Sequence, residues 1–337
     1  MTDQNGSQSK RHRRVTAQTI ADLAGVSRSA VSRAFSPGAY LSAEKRHRIL
    51  KIAAEAGYQP NALAVGLKEG RSNLVAVFVG SMRNPYDAAF MGCLARSLNA
   101  IRKWPILIDG TDKSANSAVE ELMRYPLDAL ILRGGSMAPE IVEHCARAGI
   151  PMISSGRPVS APRVDNVCCR NAEGLREMTR LLIARGRSRF GFLGGPPEFY
   201  SSAQRRAGVL GALDEAGLRP IAEATGDYTV EVGAAAARRL LRENDLDALV
   251  CANDATAIGA LSAARDLSLD VPGDVAVVGF DDIAMAEWPI FNLTTVRNPI
   301  EPAVGAIIRL LEKRLADPGK PGESISIDAV IIERGTH

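Results

Sequence analysis

The chain has 337 residues, of which 46% are hydrophobic and 23% charged, a composition that fits a globular protein with room for two or three domains. No apolar run approaches the roughly 20 residues needed to cross a bilayer. The opening "MTDQNGSQSKRHRR" is polar and basic rather than an apolar leader, so secreted and membrane classes are set aside and a cytoplasmic location is expected. The net charge of +3 divides unevenly: residues 1–72 hold 12 Lys and Arg against 5 Asp and Glu, and the remainder 29 against 33, a basic head suited to a polyanion on a slightly acidic body.

Residues 1–14 lack apolar periodicity and read as a disordered basic arm. Three helical patterns follow within 15–59. "TAQTIADLA" has Thr16 as N-cap and Gly25 as stop; "SRSAVSRAF" has Ser27 as cap; "SAEKRHRILKIAAEAG" runs from Ser42 to Gly57. On a helical wheel Arg28, Ser29, Ser32 and Arg33 share one arc, with Ala30, Val31 and Ala34 opposite. A slim buried side, a positive N-terminal end and forked arginines able to pair with guanine edges are what a helix in the DNA major groove requires. Gly25-Val26-Ser27 is then the turn of a helix-turn-helix, with Val26 plugging the junction. The competing reading is a small helical bundle with a solvated basic face. Residues 60–72, with "NALAVGL" and "KEGRS", form a linker.

From residue 74 apolar runs of strand length alternate with helical patterns. The runs are "LVAVFVG", "PILIDG", "ALILRGG", "PMISSG", "RFGFLGG", "ATGD", "ALVCAND" and "VAVVGFDD"; helices are expected near 86–102, 115–124, 139–148, 174–185, 202–216, 232–243 and 255–266. This alternation predicts an α/β core of two lobes with parallel sheets covered on both faces. Such sheets bind ligands beyond the carboxyl ends of their strands. Those ends carry Asn84, Asn253-Asp254 and Asp281-Asp282, which mark an interlobe ligand site. The five cysteines, Cys93, Cys145, Cys168, Cys169 and Cys251, lack metal-ligand spacing and read as reduced thiols; neither a metal nor another cofactor is expected.

"VTAQTIADLAGVSRSAVSRAFS…LSAEKRHRILKIAAEAGYQPNALAVGL" resembles the N-terminal head of the LacI/GalR family of bacterial transcription regulators. The likeness continues in register through "RNPYDAAFMGCL", "SSAQRRAG", "GDYTVEVG", "CANDATAIGAL", "VPGDVAVVGFDDIAMAEW" and "LTTVRNP", spanning about residues 15–333. It implies a helix-turn-helix head at 15–59, a hinge helix and linker at 60–72, and an effector-binding and dimerisation core at 73–337 similar in fold to periplasmic binding proteins. The N-lobe is expected at about 73–167 and 297–323, the C-lobe at about 168–296 and 324–337. By resemblance Arg28, Ser29 and Arg33 read bases, Asn61 to Leu67 form the hinge helix in the minor groove, and Leu67 is the apolar wedge there. Val65 and Gly66 depart from the polar residues usual in that hinge, which implies a helix that folds mainly on DNA.

In the core the resemblance implies effector contacts from Arg205, Asn253 and Asp281 and ring stacking by Tyr228, while Ile300 and Arg170 depart from the family and leave the effector's identity open. A sugar or sugar derivative is the implied effector. A homodimer reading an inverted-repeat operator is expected, since one recognition helix reads too few base pairs. The end "IIERGTH" after the last strand pattern favours a dimer over a tetramer. The rival reading is a cleft enzyme using Asp281, Asp282 and Asp254 as acid–base carboxylates. No catalytic residue is assigned: His12, His47, His144 and His337 are scattered, and no phosphate loop is present. A transport-binding protein would need a leader and has no use for a basic head.

Overall fold

A computed structural model describes residues 15–36, 38–60, 71–80, 82–109, 124–133 and 139–337. The chain falls into two units, Met1–Ser72 and Asn73–His337. The expected arm at 1–14, the hinge segment with Asn61 and Leu67, and nearly all of the helix expected near 115–124 lie outside the described residues.

In the first unit α1 (Ala17–Ala24), α2 (Arg28–Phe35) and α3 (Ala43–Glu55) enclose a core of Ile20, Ala21, Ala24, Val31, Ala34, Ile49 and Ala53. Four of these seven are alanines, so the helices approach closely but bury little apolar area. The caps therefore matter, each contributing typically ~1 kcal/mol. The Oγ atoms of Thr16, Ser27 and Ser42 accept from the amides of Thr19, Ala30 and Lys45. Gly25 closes α1 in the left-handed conformation, φ 61°, where a side chain would be strained. Its amide donates to the Asp22 carbonyl and that of Val26 to Ala21, so the reversal folds Val26 back onto the core.

The second unit contains two six-stranded sheets. The first comprises β1 (Leu74–Val79), β2 (Trp104–Asp109), β3 (Ala129–Arg133), β4 (Met152–Ser155), β5 (Val164–Cys169) and β11 (Ser324–Ile327), all parallel, in the order β11-β5-β4-β3-β1-β2. The second comprises β6 (Phe190–Gly194), β7 (Ala222–Thr225), β8 (Ala248–Cys251), β9 (Ala276–Asp281), β10 (Thr294–Arg297) and β12 (Val330–Ile332), in the order β12-β10-β9-β8-β6-β7. Only β12 is antiparallel, against β10. The helices are α4 (Pro85–Ala100), α5 (Pro139–Arg147), α6 (Asn171–Ala184), α7 (Tyr200–Glu215), α8 (Val230–Glu243), α9 (Asp254–Asp266) and α10 (Ile300–Ala316). Strands β8 and β9 are buried end to end, as parallel strands covered on both faces must be. Helices α8 and α9 touch backbone to backbone: a Cβ on Gly259 would sit 2.4 Å from the Val230 carbonyl oxygen.

The chain crosses between sheets after β5, after β10 and after β11. These crossings correct the expected lobe limits. Cys168 and Cys169 end β5 and Arg297 ends β10, so the first crossing falls later than 167 and the second after 297. Residues 324–327 pair with β5 and belong to the first lobe rather than the second. "SISI" is a half-exposed edge strand without an apolar run, which hides it from a search for buried strands. Helix α10 supplies Val304, Ile307, Leu310 and Leu311 to the core. It is pinned by Arg314, whose Nε and Nη2 both donate to Asp165, each at 2.9 Å.

Candidate functional site

Two surfaces bear chemistry. On α2 the side chains of Arg28, Ser29, Ser32 and Arg33 are exposed, while Val31 and Ala34 are buried and Ala30 is half-buried. The helix is fixed from below by a residue that helical periodicity did not single out. The Arg46 guanidinium on α3 donates to the carbonyls of Ala34 (2.8 Å), Ser36 (3.4 Å) and Ala39 (2.7 Å). A charged donor at the C-terminal end of α2 satisfies carbonyls the helix leaves open. Arg46 thus holds the helix and the following loop, and its charge is turned inward.

The second surface is a cavity of about 110 Å³ between the two sheets, several times the ~10–15 Å³ that one water requires. It opens at the carboxyl ends of the strands. Arg133 ends β3, Ser155 ends β4, Cys169 ends β5 and Asp281 ends β9, and all four line it. Asn84 reaches the lining from the N-cap of α4, its Oδ1 accepting from the Tyr86 amide at 3.2 Å. Arg205 reaches it from α7 and is nearly fully buried. Its Nε donates to Asn171 Oδ1 (2.9 Å), Nη1 to the Ala252 carbonyl (2.7 Å) and Nη2 to Asp281 Oδ1 (2.9 Å). Its guanidinium carbon lies 3.8 Å from the centre of the Phe280 ring, which supports the cation from below. Asn298 donates to the same Asp281 oxygen at 3.5 Å.

Burial opposes the charges of this pair, and each partner answers it for the other. Burial pushes the Asp281 carboxyl up, Arg205 pulls it back and Asp87 pushes it up further, for a net rise. Burial would lower Arg205, but Asp281 and nearby Tyr228 outweigh it, so the guanidinium stays ionised. Asp281 also has φ 116°, unusual for a side-chain-bearing residue, so its carboxylate is aimed by strained backbone. Tyr228 sits across Gly195, where a Cβ would lie 2.1 Å from the ring. Only glycine leaves that space. The Tyr228 hydroxyl is buried with no hydrogen-bond partner, an open valence at the cavity wall.

Asn84, Arg205, Tyr228 and Asp281 therefore stand together. Asn253 does not: it is fully buried at the N-cap of α9, with Oδ1 accepting from Thr256 (3.0 Å) and Nδ2 donating to the Tyr228 carbonyl (3.3 Å). Its polar atoms are spent on holding the wall, so it acts on the site through Tyr228. Asp254 also lies off the lining, accepting from the Ile283 amide at 2.9 Å and from the Thr295 hydroxyl. Burial, then the Asp281 charge, push its carboxyl up to about 7. Arg133, Asp87 and Asn171 also line the cavity, although motif matching did not single them out; Arg133 follows the same strand-end rule as Asp281. Among the described residues no group of three or more His, Cys, Asp or Glu is placed to hold a metal, and no helix is long and apolar enough to cross a membrane.

Comparison with known proteins agrees with both units. Residues 16–61 match the family "bacterial regulatory proteins, lacI family", and residues 179–337 match a periplasmic binding protein-like domain. The probable HTH-type transcriptional repressor ExuR of Bacillus subtilis is 31% identical over 318 residues, 92% of this chain and 95% of that protein. The HTH-type transcriptional regulator GalS of Salmonella typhimurium is 31% identical, covering 85% and 86%. Among solved structures, a CelR–cellobiose complex is 28% identical with a TM-score of 0.73, covering 96% of this chain and 100% of that one. A lac repressor dimer bound to operator and the anti-inducer ONPF shares the fold with a TM-score of 0.87 at 23% identity, covering 96% and 99%.

Proposed function

The chain belongs to the LacI family of bacterial regulatory proteins, and on that premise we propose that it is a cytoplasmic, homodimeric transcriptional repressor. Its α2 helices read an inverted-repeat operator, and its operator affinity is set by a small polar effector, a sugar or sugar derivative, held between the lobes. The observation that carries this reading is the pairing, in one chain, of an exposed Arg28–Ser29–Ser32–Arg33 face with a polar interlobe cavity that has an unsatisfied tyrosine hydroxyl. Arg28 and Arg33 are the base-reading arginines; Ser29 and Ser32 are short enough to let the helix seat deeply. In the core, Arg205 and Asp281 orient hydroxyls, Asn84 adds a contact from the other lobe, and Tyr228 supplies a ring face and a hydroxyl. A ligand touching both lobes favours their closed arrangement. By linkage, an effector that weakens operator binding is itself bound more weakly by the operator complex.

Regulation rather than catalysis is supported by the family. Of the carboxylates in the rival enzyme reading, Asp254 is fully buried at the start of α9, off the cavity lining, where it accepts from the Ile283 amide and the Thr295 hydroxyl. The test is footprinting of the purified protein on the DNA upstream of its own reading frame, with and without sugars, sugar acids and purines. A protected inverted repeat whose occupancy changes with one compound is expected. No protection at low salt, where phosphate contacts are strongest, would overturn the reading.

A further inference from the structure

Arg133 is the second arginine of the cavity, and it comes from the lobe opposite Arg205. It is held rigidly. Its Nη2 donates to Asp87 Oδ1 at 2.9 Å, and its guanidinium carbon lies 4.1 Å from the centre of the Phe90 ring and 5.5 Å from that of Tyr86. Gly156, with φ 92°, makes room for it: a Cβ there would lie 2.8 Å from Nη1. A lattice of ring, carboxylate and glycine fixes the fork at the end of β3, yet the protein does not use it up. Nε is buried without a hydrogen-bond partner, as is the Tyr228 hydroxyl on the facing lobe, whose residue is only 8% exposed. Two buried open donors on opposite walls of one cavity await acceptors.

The charge on the lining points the same way. Among its described residues stand Arg133, Arg157 and Arg205 against Asp87 and Asp281. Asp281 balances Arg205 in a closed pair, whereas Asp87 is 32% exposed and meets Arg133 through a single oxygen. A neutral polyol finds its hydroxyl partners at Asp281, Arg205 and Asn84 and gives Arg133 nothing to pair with. A rigid, half-paired guanidinium is matched by an oxyanion, for which its planar fork is shaped.

Building on the effector-controlled reading above, we propose that the effector is an anion: a polyhydroxy compound whose carboxylate or phosphate oxygens rest on Arg133, with its hydroxyls on Arg205 and Asp281. Because Arg133 and Tyr228 belong to different lobes, the oxyanion bridges them and its charge favours closure.

Calorimetric titration of the full-length protein at fixed ionic strength tests this. The probes are glucuronate, galacturonate, gluconate and a hexose phosphate, each beside its neutral parent sugar. At least one anion is expected to bind roughly 10- to 100-fold more tightly than its parent, the range of a hydrogen-bonded charge. The carboxylate and phosphate arms decide which oxyanion it is. Arg133→Gln should erase that preference and Arg133→Lys should keep part of it, with thermal unfolding confirming that each variant is folded. A neutral parent binding as tightly as its anion, a preference surviving in Arg133→Gln, or no binding by any anion would overturn the proposal. An operator gel shift in the same solutions separates the two levels. If a neutral sugar changes operator binding, the regulator stands and the anion falls; if operator binding is absent altogether, the underlying reading falls.

Discussion

Arg33 stands on the exposed side of a helix whose other side is sealed by Val31 and Ala34, so its substitution touches no packing. Arg33→Ala is expected to cost about 1–3 kcal/mol of operator affinity and to relax the preference at one base pair, as binding to a set of single-base operator variants would show. An equal loss on every sequence would make it a phosphate contact instead. Tyr228 supports a prediction of opposite signs. Its buried hydroxyl lacks a partner, and such a group costs about 1–3 kcal/mol. Tyr228→Phe should leave the ligand-free protein as stable or more stable to heat, yet bind effector more weakly; lower ligand-free stability would mean the hydroxyl is already satisfied. The sequence made Asp281, Asn84 and the outward arginines visible because strand ends and wheel positions are local properties. It hid the partition of Asn253, since whether an amide faces a ligand or its own helix depends on rotamers set by Tyr228 and Thr256. Arg133 was readable, but only by carrying the strand-end rule through "ALILR".

The helix-turn-helix shows how far local signals reach. Thr16, Ser27 and Ser42 at the caps and Gly25 at the turn were legible because capping is decided within three residues. Arg46 was not, since its three carbonyl partners come from the end of α2 and the loop beyond it. Arg46→Ala should destabilise the head by about 1.5–3 kcal/mol, the scale of hydrogen bonds to a charged group. It should weaken binding to all DNA sequences alike, measured as a uniform shift across the same operator set. In the core, strands buried on both faces announced themselves as apolar runs. The strands β5, β10, β11 and β12 did not: "VDNVCC" and "TTVR" bury polar residues, "SISI" is a half-exposed edge strand, and "VII" is only three residues long. Those strands adjoin the lobe crossings, so the errors in the lobe limits and the unread strands share one origin.

For the whole molecule, buried charge makes core stability depend on pH in a defined direction. Burial raises the folded-state value of Asp254 from 3.8 to about 7, so the folded core holds a proton there that the unfolded chain has already lost. That contribution is full below the unfolded value and fades as the pH climbs from 3.8 to about 7. Asp281, also raised, adds to the same slope. Thermal unfolding followed across that window should show the wild type losing stability relative to Asp254→Asn as the pH rises; parallel curves would mean the Asp254 proton is not linked to folding.

Function also belongs to this scale, because an effector in the core must be felt at the DNA. Two interlobe walls that each hold ligand-seeking groups are a two-state element, and a ligand shifts it only by its differential affinity for the two states. The most direct measurement is the coupling itself. Operator affinity would be titrated with and without saturating effector, and effector affinity with and without operator. Equal factors in both directions, about 5- to 150-fold, are predicted for a regulator of this design. A factor of one in both would contradict it, leaving a DNA reader and a ligand site that do not communicate.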